Sequence, residues 1–454
     1  MAGGAAPLST ARGGYRLSAL NDDLLQEIIT CLPVMDAART VVLAKRWRYL
    51  WNSAPLFLKD GDLPQSARDV VVPRVLSEHQ GRFRHISLAD CRLASLDREL
   101  PGWPRLLADK QTQRLHLNNR LPRNQIDTLP HIPADILRCG SLQELLLGFW
   151  TFPVDLSHGV GIFLPNLREL TLIMVVISDE DLEHLITACT ALKTLKLTGI
   201  TPKRVHLRSQ SLRCALVGLS RVEDFAVVDA PLLERLVLYL PGTVVRVKIG
   251  HAANLRVLGH LDTRVHRLQT RDIVIQPNTM ASTSTVIPSV KILAVTVNFG
   301  VLWELKMLAS FLRCFPNIVT LHIESALHDP SVSASAIEPS GEHHAKFWQE
   351  VGPVECLRSH LLGKMVIHKF RGDQNEFEFL KFVATNAQGL QSLHVVLQEG
   401  NTSSAEKVNE AKGKLQDLRF QTGISGVLLV LPKEGILSTL QKATDLSFDD
   451  PFRF

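Results

Sequence analysis

The sequence is constrained most by a leucine pattern, LxxLxL, that returns at a fixed interval. Three clear copies stand at Leu142/Leu145/Leu147, Leu167/Leu170/Leu172 and Leu192/Leu195/Leu197. The central leucines Leu145, Leu170 and Leu195 follow one another every 25 residues. A period of about 20–29 residues is typical of leucine-rich repeats, in which each unit adds one strand to a parallel sheet. The pattern therefore predicts an α/β solenoid with a parallel sheet lining its concave face.

Weaker copies extend the pattern to both sides of these three. They stand at Thr112/Leu115/Leu117, Leu233/Leu236/Leu238, Val290/Leu293/Val295, Ile318/Leu321/Ile323 and Leu390/Leu393/Val395. The 41 residues from Leu195 to Leu236 leave room for two short repeats. The pattern breaks near residues 260–290 and 325–350, where VIQPNTMASTSTVIPS and SALHDPSVSASAIEPSGEHH are typical of polar loops. An irregular solenoid is therefore predicted, and its loops either carry specificity or are tolerated insertions.

The segment between two strong copies, SDEDLEHLITAC, has the pattern of an amphipathic helix. Ser178 is a suitable N-cap and acidic residues follow it. Leu182, Leu185, Ile186 and Cys189 recur at helical spacing. Strand, turn, helix and turn together make the expected repeat unit.

In such a unit the leucines point into the core, and the residues between them face the concave surface. These residues are the predicted target-binding positions: Glu144, Glu169, Thr171, Thr194, Lys196, Arg235, Tyr239, Thr320 and His322. Their charges are mixed and form no basic track, so a protein or small-molecule ligand is favoured over nucleic acid. Each position taken alone is also explained as solvated surface.

Charge and cysteine usage narrow the class of protein. The 454 residues include 50 basic and 45 acidic side chains, for a net charge of +5, and no apolar run approaches the length of a membrane span. The seven cysteines are widely spaced, odd in number and without a CxxC pair, which favours reduced thiols in the cytoplasm or nucleus. Residues 1–15 lack a secretory signal's apolar core and are expected to be a disordered lead-in, with a weak transit peptide as the alternative.

The N-terminal segment LNDDLLQEIITCLPVMDAARTVVLAKRWRYLW predicts three short helices. Asp23 with Gln26 resembles a capping box, and Pro33 ends the first helix. Asp36 is a candidate N-cap for a second helix over Ala37–Leu43. The apolar spacings place Leu24, Leu25, Ile28, Ile29 and Leu32 on one helix face, and Trp47, Leu50 and Trp51 on another. Because about forty residues barely bury their own core, we expect a partner to cover part of these faces.

The same residues resemble the F-box, especially in LPVMDAARTVVLAKRWRYLWNSAP, which is similar to the F-boxes of plant F-box/leucine-rich-repeat proteins. The resemblance covers roughly residues 16–58. It implies docking on a Skp-type adaptor and, through it, on a cullin-RING (SCF) ubiquitin ligase. Asn21 stands where the family usually has proline, which predicts weaker adaptor binding. Trp47 is expected to be mainly core. The expected adaptor contacts are Leu20, Leu24, Ile28, Leu32, Pro33, Leu43, Lys45 and Trp51.

The C-terminal segment predicts one more strand–helix–strand unit. A strand is expected around Met365–Lys369, a helix over Glu376–Val383, a strand over Leu390–Leu397 and a final edge strand at Gly426–Leu431. This segment resembles the FBD domain of plant F-box proteins. The predicted organisation is lead-in 1–15, F-box 16–58, leucine-rich repeats 80–345, FBD-like unit 350–432 and tail 433–454.

Enzymatic motifs are absent from the sequence: GxxxxGK[ST], HExxH and GxSxG do not occur. Cys139, Cys189 and Cys314 are expected to be packed thiols. Glu342-His343-His344 lies in a predicted polar loop, where such a pair is more often solvated than metal-bound. We therefore expect no cofactor and no metal site. The first hypothesis is a non-catalytic substrate receptor of an SCF ligase, the second a repeat scaffold with a degenerate F-box, and the third an enzyme whose site is assembled from scattered residues.

Overall fold

The computed structural model describes residues 17–91, 102–119, 129–153, 161–326, 342–398, 405–422 and 426–430. The predicted lead-in at 1–15 and tail at 433–454 lie outside these residues. The chain divides into two compact units, residues 1–124 and 125–454.

The first unit begins with the three predicted helices: α1 (Asp22–Cys31), α2 (Val34–Arg39) and α3 (Lys45–Ser53). Two details of the prediction are wrong. Asn21 rather than Asp23 caps α1, because its side-chain oxygen accepts the Leu24 N–H at 3.0 Å. The second helix begins at Val34 and gives way to a 3₁₀ turn over Thr40–Val42, so Asp36 lies inside it and caps nothing.

These helices share a small core. Leu25 and Ile29 of α1 are fully buried, and Trp47 and Leu50 of α3 are nearly so. Arg46 ties α3 to the start of α1, since its guanidinium donates to the Leu20 carbonyl and to the Asp22 carboxylate, both at 2.7 Å. At least one basic residue of α3, Arg46, therefore stabilises the contact between these helices.

The rest of the first unit begins the strand pattern. Its elements are β1 (Leu56–Lys59), α4 (Arg68–Glu78), β2 (Phe83–Leu88), α5 (Trp103–Asp109) and β3 (Arg114–Asn118). β2 pairs in parallel with both β1 and β3. The buried Asp60 carboxylate accepts the backbone N–H groups of Asp90 and Cys91, each at 2.7 Å, and so fixes the chain after β2.

The second unit is built on a long sheet with the strand order β4-β5-β6-β8-β10-β12-β15-β16-β17-β18-β19. These pairings are all parallel. The strands are β4 (Glu144–Gly148), β5 (Glu169–Ile173), β6 (Thr194–Thr198), β8 (Cys214–Gly218), β10 (Arg235–Tyr239), β12 (Val257–Asp262), β15 (Ile292–Val297), β16 (Thr320–Ser325), β17 (Lys364–Phe370), β18 (Ser392–Leu397) and β19 (Gly426–Val430).

The repeating leucines stand in register across this sheet. Leu145 pairs with Leu170, and Leu170 with Leu195. Ala215 of β8 then stands between Leu195 and Leu236, so two short repeats do fill that interval, as predicted. All five side chains are fully buried. The leucine period therefore fixes both the strands and the side of the sheet that faces the core.

Helices back the sheet in the outer parts of this unit: α6 (Asp179–Ala188), α7 (Leu302–Cys314), α8 (Glu342–Glu350), α9 (Glu355–Arg358), α10 (Gln374–Asn386) and α11 (Ala405–Thr422). The predicted cap of α6 is confirmed, since the Ser178 hydroxyl accepts the Asp181 N–H at 3.0 Å. Helix α8 begins at Glu342, so Glu342-His343-His344 opens a helix and not the predicted loop. The side chains of residues 342–345 lie outside the described part of the chain.

Between β6 and β15 the returns are strands instead of helices. They are β7 (Arg204–Arg208), β9 (Asp224–Asp229), β11 (Val245–His251), β13 (His266–Thr270) and β14 (Ile273–Val274), which pair as a second sheet. The turns here are shorter than the 25-residue repeats, because β6, β8 and β10 begin at Thr194, Cys214 and Arg235. A return this short leaves no room for a helix with its two connections.

In several turns the residue directly after the strand, which we call the corner, adopts a left-handed backbone. Phe149, Met174, Gly199, Leu219 and Leu240 have φ values of 60°, 50°, 65°, 51° and 41°, and each follows directly on a strand of the sheet. Non-glycine residues seldom adopt this region. At Gly199 a Cβ would collide with the end of the Met174 side chain, which would then have to move. The other four corners carry apolar side chains.

The C-terminal part matches the predicted strand–helix–strand order, with a helix longer than Glu376–Val383. The predicted edge strand is confirmed as β19, which pairs with β18. The buried Glu376 carboxylate anchors α10: one oxygen accepts the N–H groups of Arg371, Gly372 and Asp373, and the other the Ser325 hydroxyl at 2.6 Å. Burial raises the pKa of Glu376 above its ordinary value.

Candidate functional site

The predicted adaptor contacts lie at the surface of the first unit. Leu24 and Leu43 are 51% and 62% exposed, and Pro33 and Lys45 are also exposed. The remaining predicted contacts are half-buried: Leu20, Ile28, Leu32 and Trp51. The apolar residues of α1 thus divide, because Leu25 and Ile29 face the core while Leu24 stays in solvent. Whether these residues bind an adaptor remains a prediction.

The two tryptophans of α3 have different surroundings. Trp47 is 7% exposed and belongs to the core, in agreement with the expectation from the sequence. Trp51 is half-buried, and its ring lies 5.3 Å from the imidazole of His79. His79 in turn contacts the Ala54 carbonyl through Nε2 at 3.0 Å, and burial lowers the pKa of its imidazole. Trp51 is therefore held by the segment that follows the helices, with only part of its ring accessible.

Other exposed apolar side chains in this region escaped sequence reasoning. Val42 is 85% exposed, Tyr49 is 76% exposed and Leu17 is 53% exposed. Val42 faces solvent because the 3₁₀ turn directs Thr40 inward, where its hydroxyl donates to the Ala37 carbonyl at 2.6 Å. The helical spacing assumed from the sequence did not include this turn. These residues enlarge the apolar surface available to a partner.

The predicted target-binding residues all lie on strands of the long sheet, on the face that carries no repeat leucines. Their accessibility differs. Glu169 is exposed, and Glu144, Thr171, Lys196, Arg235 and Tyr239 are half-buried. Thr194, Thr320 and His322 are buried, with 9%, 4% and 7% of their surface exposed. The structure therefore leaves the first part of the sheet more open to a ligand than the later strands.

A polar cluster explains the burial in the later strands. The rings of His322 and His368 stack with their centroids 5.6 Å apart, and Nδ1 of His322 lies 3.3 Å from Nε2 of His368. On the neighbouring positions Glu324 pairs with Lys369, and the His260 Nδ1 lies 4.0 Å from the other Glu324 oxygen. These groups contact one another, and the sequence could not show it because they come from strands far apart in the chain.

The middle of the same face is apolar. Leu216 of β8 and Val237 of β10 pair side by side and are 2% and 1% exposed. Lys196 of β6 pairs with Leu216 of β8. The same concave position is therefore polar in β6 and apolar in the next strand of the sheet. Mixed character along this row suits recognition of a protein surface, which combines apolar and polar contacts.

Reactive groups are poorly placed for catalysis. Cys139, Cys189 and Cys314 are each 1% exposed, and burial raises the pKa of their thiols to about 11, 12 and 12. Such thiols are protonated at neutral pH and poor nucleophiles. In the described part of the chain, no three His, Cys, Asp or Glu side chains are grouped so as to hold a metal ion. Among these residues there is also no helix with the length and apolar character needed to cross a bilayer.

Three family models match successive parts of the chain. The F-box domain matches residues 17–59, the repeats described as "FBD-associated F-box protein At5g56370, LRR repeats" match residues 100–323, and the FBD domain matches residues 349–395. The order agrees with the helices, the long sheet and the C-terminal unit seen in the structure.

The chain is similar to several proteins of Arabidopsis thaliana. The chain is 30% identical to F-box/LRR-repeat protein 13 over 354 residues, which cover 68% of the chain and 76% of the relative. It belongs to the F-box/LRR-repeat family. The chain is also 25% identical to the F-box/FBD/LRR-repeat protein At5g52460 over 385 residues, or 84% of the chain and 87% of that protein. It is 28% identical to At2g26030 of the same kind over 238 residues, or 49% of the chain and 52% of that protein.

Membership of the F-box/LRR-repeat family gives the two surfaces their context. Proteins of this family are generally non-catalytic adaptors that bring a target to other proteins, and none of the matching families is enzymatic. The F-box coincides with α1–α3 and their exposed apolar residues. The repeats coincide with the sheet whose open face carries the mixed polar and apolar positions.

Proposed function

We propose that the chain is the substrate-recognition subunit of an SCF-type ubiquitin ligase. In this role the F-box docks on a Skp-type adaptor, and the open face of the repeat sheet binds a target protein. The observation that carries the proposal is the set of exposed apolar side chains on the F-box helices: Leu24, Val42, Leu43 and Tyr49. Several exposed apolar side chains on one small set of helices are typical of a surface that a partner covers.

The mechanism is proximity. The receptor makes and breaks no bond. It holds the target near a ubiquitin-conjugating enzyme that the rest of the ligase recruits, and so raises the effective concentration of the target's lysines. The chemistry of the buried thiols supports a non-catalytic role, since burial keeps Cys189 and Cys314 protonated. The reduced cysteines also support residence in the cytoplasm or nucleus, which is part of the proposal.

One observation favours a second function, a repeat scaffold that acts outside ubiquitin transfer. Asn21 occupies the position where the family usually has proline, and its side chain is engaged in capping α1. A leucine–proline contact with the adaptor is therefore missing. If that contact dominates docking, the F-box helices fold but bind no adaptor.

Adaptor binding tests the proposal directly. The full-length protein and a purified Skp-type adaptor are mixed in a pull-down, beside the variants Leu43→Asp and Val70→Asp. Val70 is 71% exposed but lies in α4, outside the F-box helices, so its variant is a control for adding a charge to an exposed apolar site. Covering one apolar side chain is worth about 1.5–3 kcal/mol, or roughly ten- to hundredfold in affinity.

We expect the wild type and Val70→Asp to capture the adaptor and Leu43→Asp to lose at least about tenfold in affinity. Absence of capture by the folded wild type would give first place to the scaffold function. Equal loss in both variants would mean that the exposed F-box residues are not the docking surface.

A further inference from the structure

From β5 to β15, the residue just before the strand is basic in five of the six strands of the long sheet. These residues form what we call the basic edge: Arg168 before β5, Lys193 before β6, Arg213 before β8, Arg256 before β12 and Lys291 before β15. Glu234, before β10, interrupts the series. In the sequence, the basic edge corresponds to a Lys or Arg directly after the first leucine of LxxLxL. This position faces neither the core nor the central row of the open face.

Backbone hydrogen bonds place these residues side by side at one end of the strands. The Lys193 N–H donates to the Arg168 carbonyl at 2.8 Å, and the Arg213 N–H to the Lys193 carbonyl at 2.9 Å. The Lys291 N–H donates to the Arg256 carbonyl at 2.8 Å in the same way. Neighbouring strands are about 4.8 Å apart, so the charges form a row that Glu234 interrupts between Arg213 and Arg256.

Most of the basic edge has no counter-charge among the residues that the structure describes. Arg213 pairs with Glu234 at 2.8 Å. Arg168, Lys193, Arg256 and Lys291 make no ion pair within the part of the chain that the structure describes. Like charges on adjacent strands repel. An acidic partner lying along the row would remove this repulsion and would be guided to it at long range.

The opposite end of the same strands is apolar. The left-handed corners place Met174, Leu219 and Leu240 there, with 38%, 53% and 56% of their surface exposed. Leu219 and Leu240 stand on neighbouring turns, since the Leu219 N–H donates to the Tyr239 carbonyl just before Leu240. The corner at Gly199 lies between Met174 and Leu219. Strands of this length separate the two ends by about 16 Å, somewhat more than the 10–12 Å diameter of a helix with its side chains.

We propose that this part of the sheet binds an acidic, amphipathic segment of the target protein, with its carboxylates on the basic edge and its apolar side chains toward Met174, Leu219 and Leu240. The inference rests on the proposed receptor function and names the chemistry of its target. Leu216 and Val237, which lie between the two ends, are buried in the sheet and lie beneath the segment.

Nucleic acid fits this surface less well than an acidic peptide. Glu169 is exposed beside Arg168, and Glu234 interrupts the row, so a continuous phosphate backbone would meet negative charge at two turns. The net charge of the chain is only +5. A peptide can place its carboxylates where the cations are and leave gaps elsewhere, and it can use the apolar end, which phosphates cannot.

The test is a titration of the full-length protein with a labelled synthetic peptide of about 18 residues, roughly five helical turns, with Glu on one face and Leu and Phe on the other. The test variant is Arg168→Glu/Lys193→Glu/Arg256→Glu. The control is Arg221→Glu/Arg246→Glu/Arg271→Glu, which changes the charge equally at exposed positions away from this edge. A third variant, Leu219→Ser/Leu240→Ser, tests the apolar end. A scrambled peptide, single-stranded RNA and anionic phosphatidylserine vesicles serve as competing probes.

We expect salt-sensitive binding of the amphipathic peptide that falls by about tenfold or more in the test variant and in the serine variant, and changes by less than about twofold in the control. No peptide binding by the wild type, equal loss in the control, or tighter binding of the scrambled peptide, RNA or vesicles would overturn the inference. Adaptor capture is measured on the same samples. Wild type that captures the adaptor but not the peptide refutes this inference alone, and the reverse result refutes the ligase function alone.

Discussion

The F-box helices and the repeat sheet keep their apolar side chains in opposite places. In the sheet, Leu145, Leu170 and Leu195 are fully buried by neighbouring turns of the same chain. In the F-box, Val42 and Leu43 are 85% and 62% exposed, although the surrounding sequence is equally apolar. The repeat sheet buries its leucines by stacking successive turns, whereas the F-box leaves part of its apolar surface exposed.

This difference shows that buried apolar residues stabilise the fold, whereas exposed apolar residues are available for binding a partner. Removing a repeat leucine should harm the fold, whereas removing an exposed F-box leucine should harm only association. In the repeats, the inferred recognition surface consists of charges and exposed apolar side chains at the strand ends, since the repeat leucines are used for stacking. Each prediction below either breaks this division or measures it more closely.

The largest effect is expected for Leu195→Ala. Leu195 is fully buried between Leu170 and Ala215, so the substitution leaves a cavity and should lower the free energy of unfolding by about 2–5 kcal/mol. Leu43→Ala should change it by about 0.5 kcal/mol or less, because Leu43 is exposed. Urea titration with hydrogen exchange over β5–β8 measures the effect, and similar values for the two variants would break the comparison.

Acidification should destabilise the repeats through His266. This residue is 2% exposed, its Nδ1 accepts the Asp262 N–H at 2.8 Å, and burial lowers the pKa of its imidazole from 6.5 to about 4. Between these two pKa values, His266 is therefore protonated in the unfolded chain and neutral in the folded chain. Stability is full above pH 6.5 and falls between pH 6.5 and 4, by up to about 3 kcal/mol.

The variant His266→Asn keeps an acceptor for Asp262 but cannot take up the proton. Its free energy of unfolding should depend less on pH in this window than that of the wild type. His184→Asn, at an exposed position of α6, is the control. An unchanged slope in His266→Asn would show that another group governs acid unfolding.

A smaller effect is expected for Asn21→Pro, which separates folding from docking in the F-box. The backbone at Asn21 has φ −68°, which proline adopts without strain. Loss of the bond from the Leu24 N–H should destabilise α1 by about 1 kcal/mol. If the family's leucine–proline contact is restored, adaptor affinity should rise despite this loss. Lower affinity together with lower stability would show that the Asn21 cap matters more for docking than the proline contact.

The smallest change in stability is expected for Glu234→Gln. The Arg213–Glu234 pair is largely exposed, and such pairs contribute about 0–1 kcal/mol. The substitution frees Arg213 and removes the one acid from the basic edge, so the affinity for the acidic peptide should rise at low salt. Unchanged affinity in a titration would indicate that the row does not act as a unit.

The sequence predicted most of the fold because the fold repeats. Leu145, Leu170 and Leu195 define a period, and the LxxLxL rule located β3, β4, β5, β6, β10, β15, β16 and β18. Ser178 marked the start of α6 for an equally local reason. The presence of the F-box helices followed from the spacing of their apolar residues and from the family resemblance, although the capping box at Asp23 was wrong and the turn at Thr40–Val42 was missed.

The rest depended on contacts between residues distant in the chain. Burial of His322 follows from its stacking on His368, which comes from the next strand of the sheet. The strand returns β7, β9, β11 and β13 were not predicted, because their apolar residues pack in a second sheet that the local sequence pattern does not indicate. The exposure of Val42 depends on which way a single 3₁₀ turn directs its side chains.

The register of the long sheet also determines which changes in chain length this protein can survive. Deleting one residue from β5 or β6 would turn Leu170 or Leu195 out of the core and shift every later pairing. Deleting the whole interval between Leu170 and Leu195 would leave Leu145 and Leu195 as the matching leucines of adjacent turns. Insertions and deletions of a complete turn can therefore lengthen or shorten the target-binding surface, while those of a few residues within a strand destroy it.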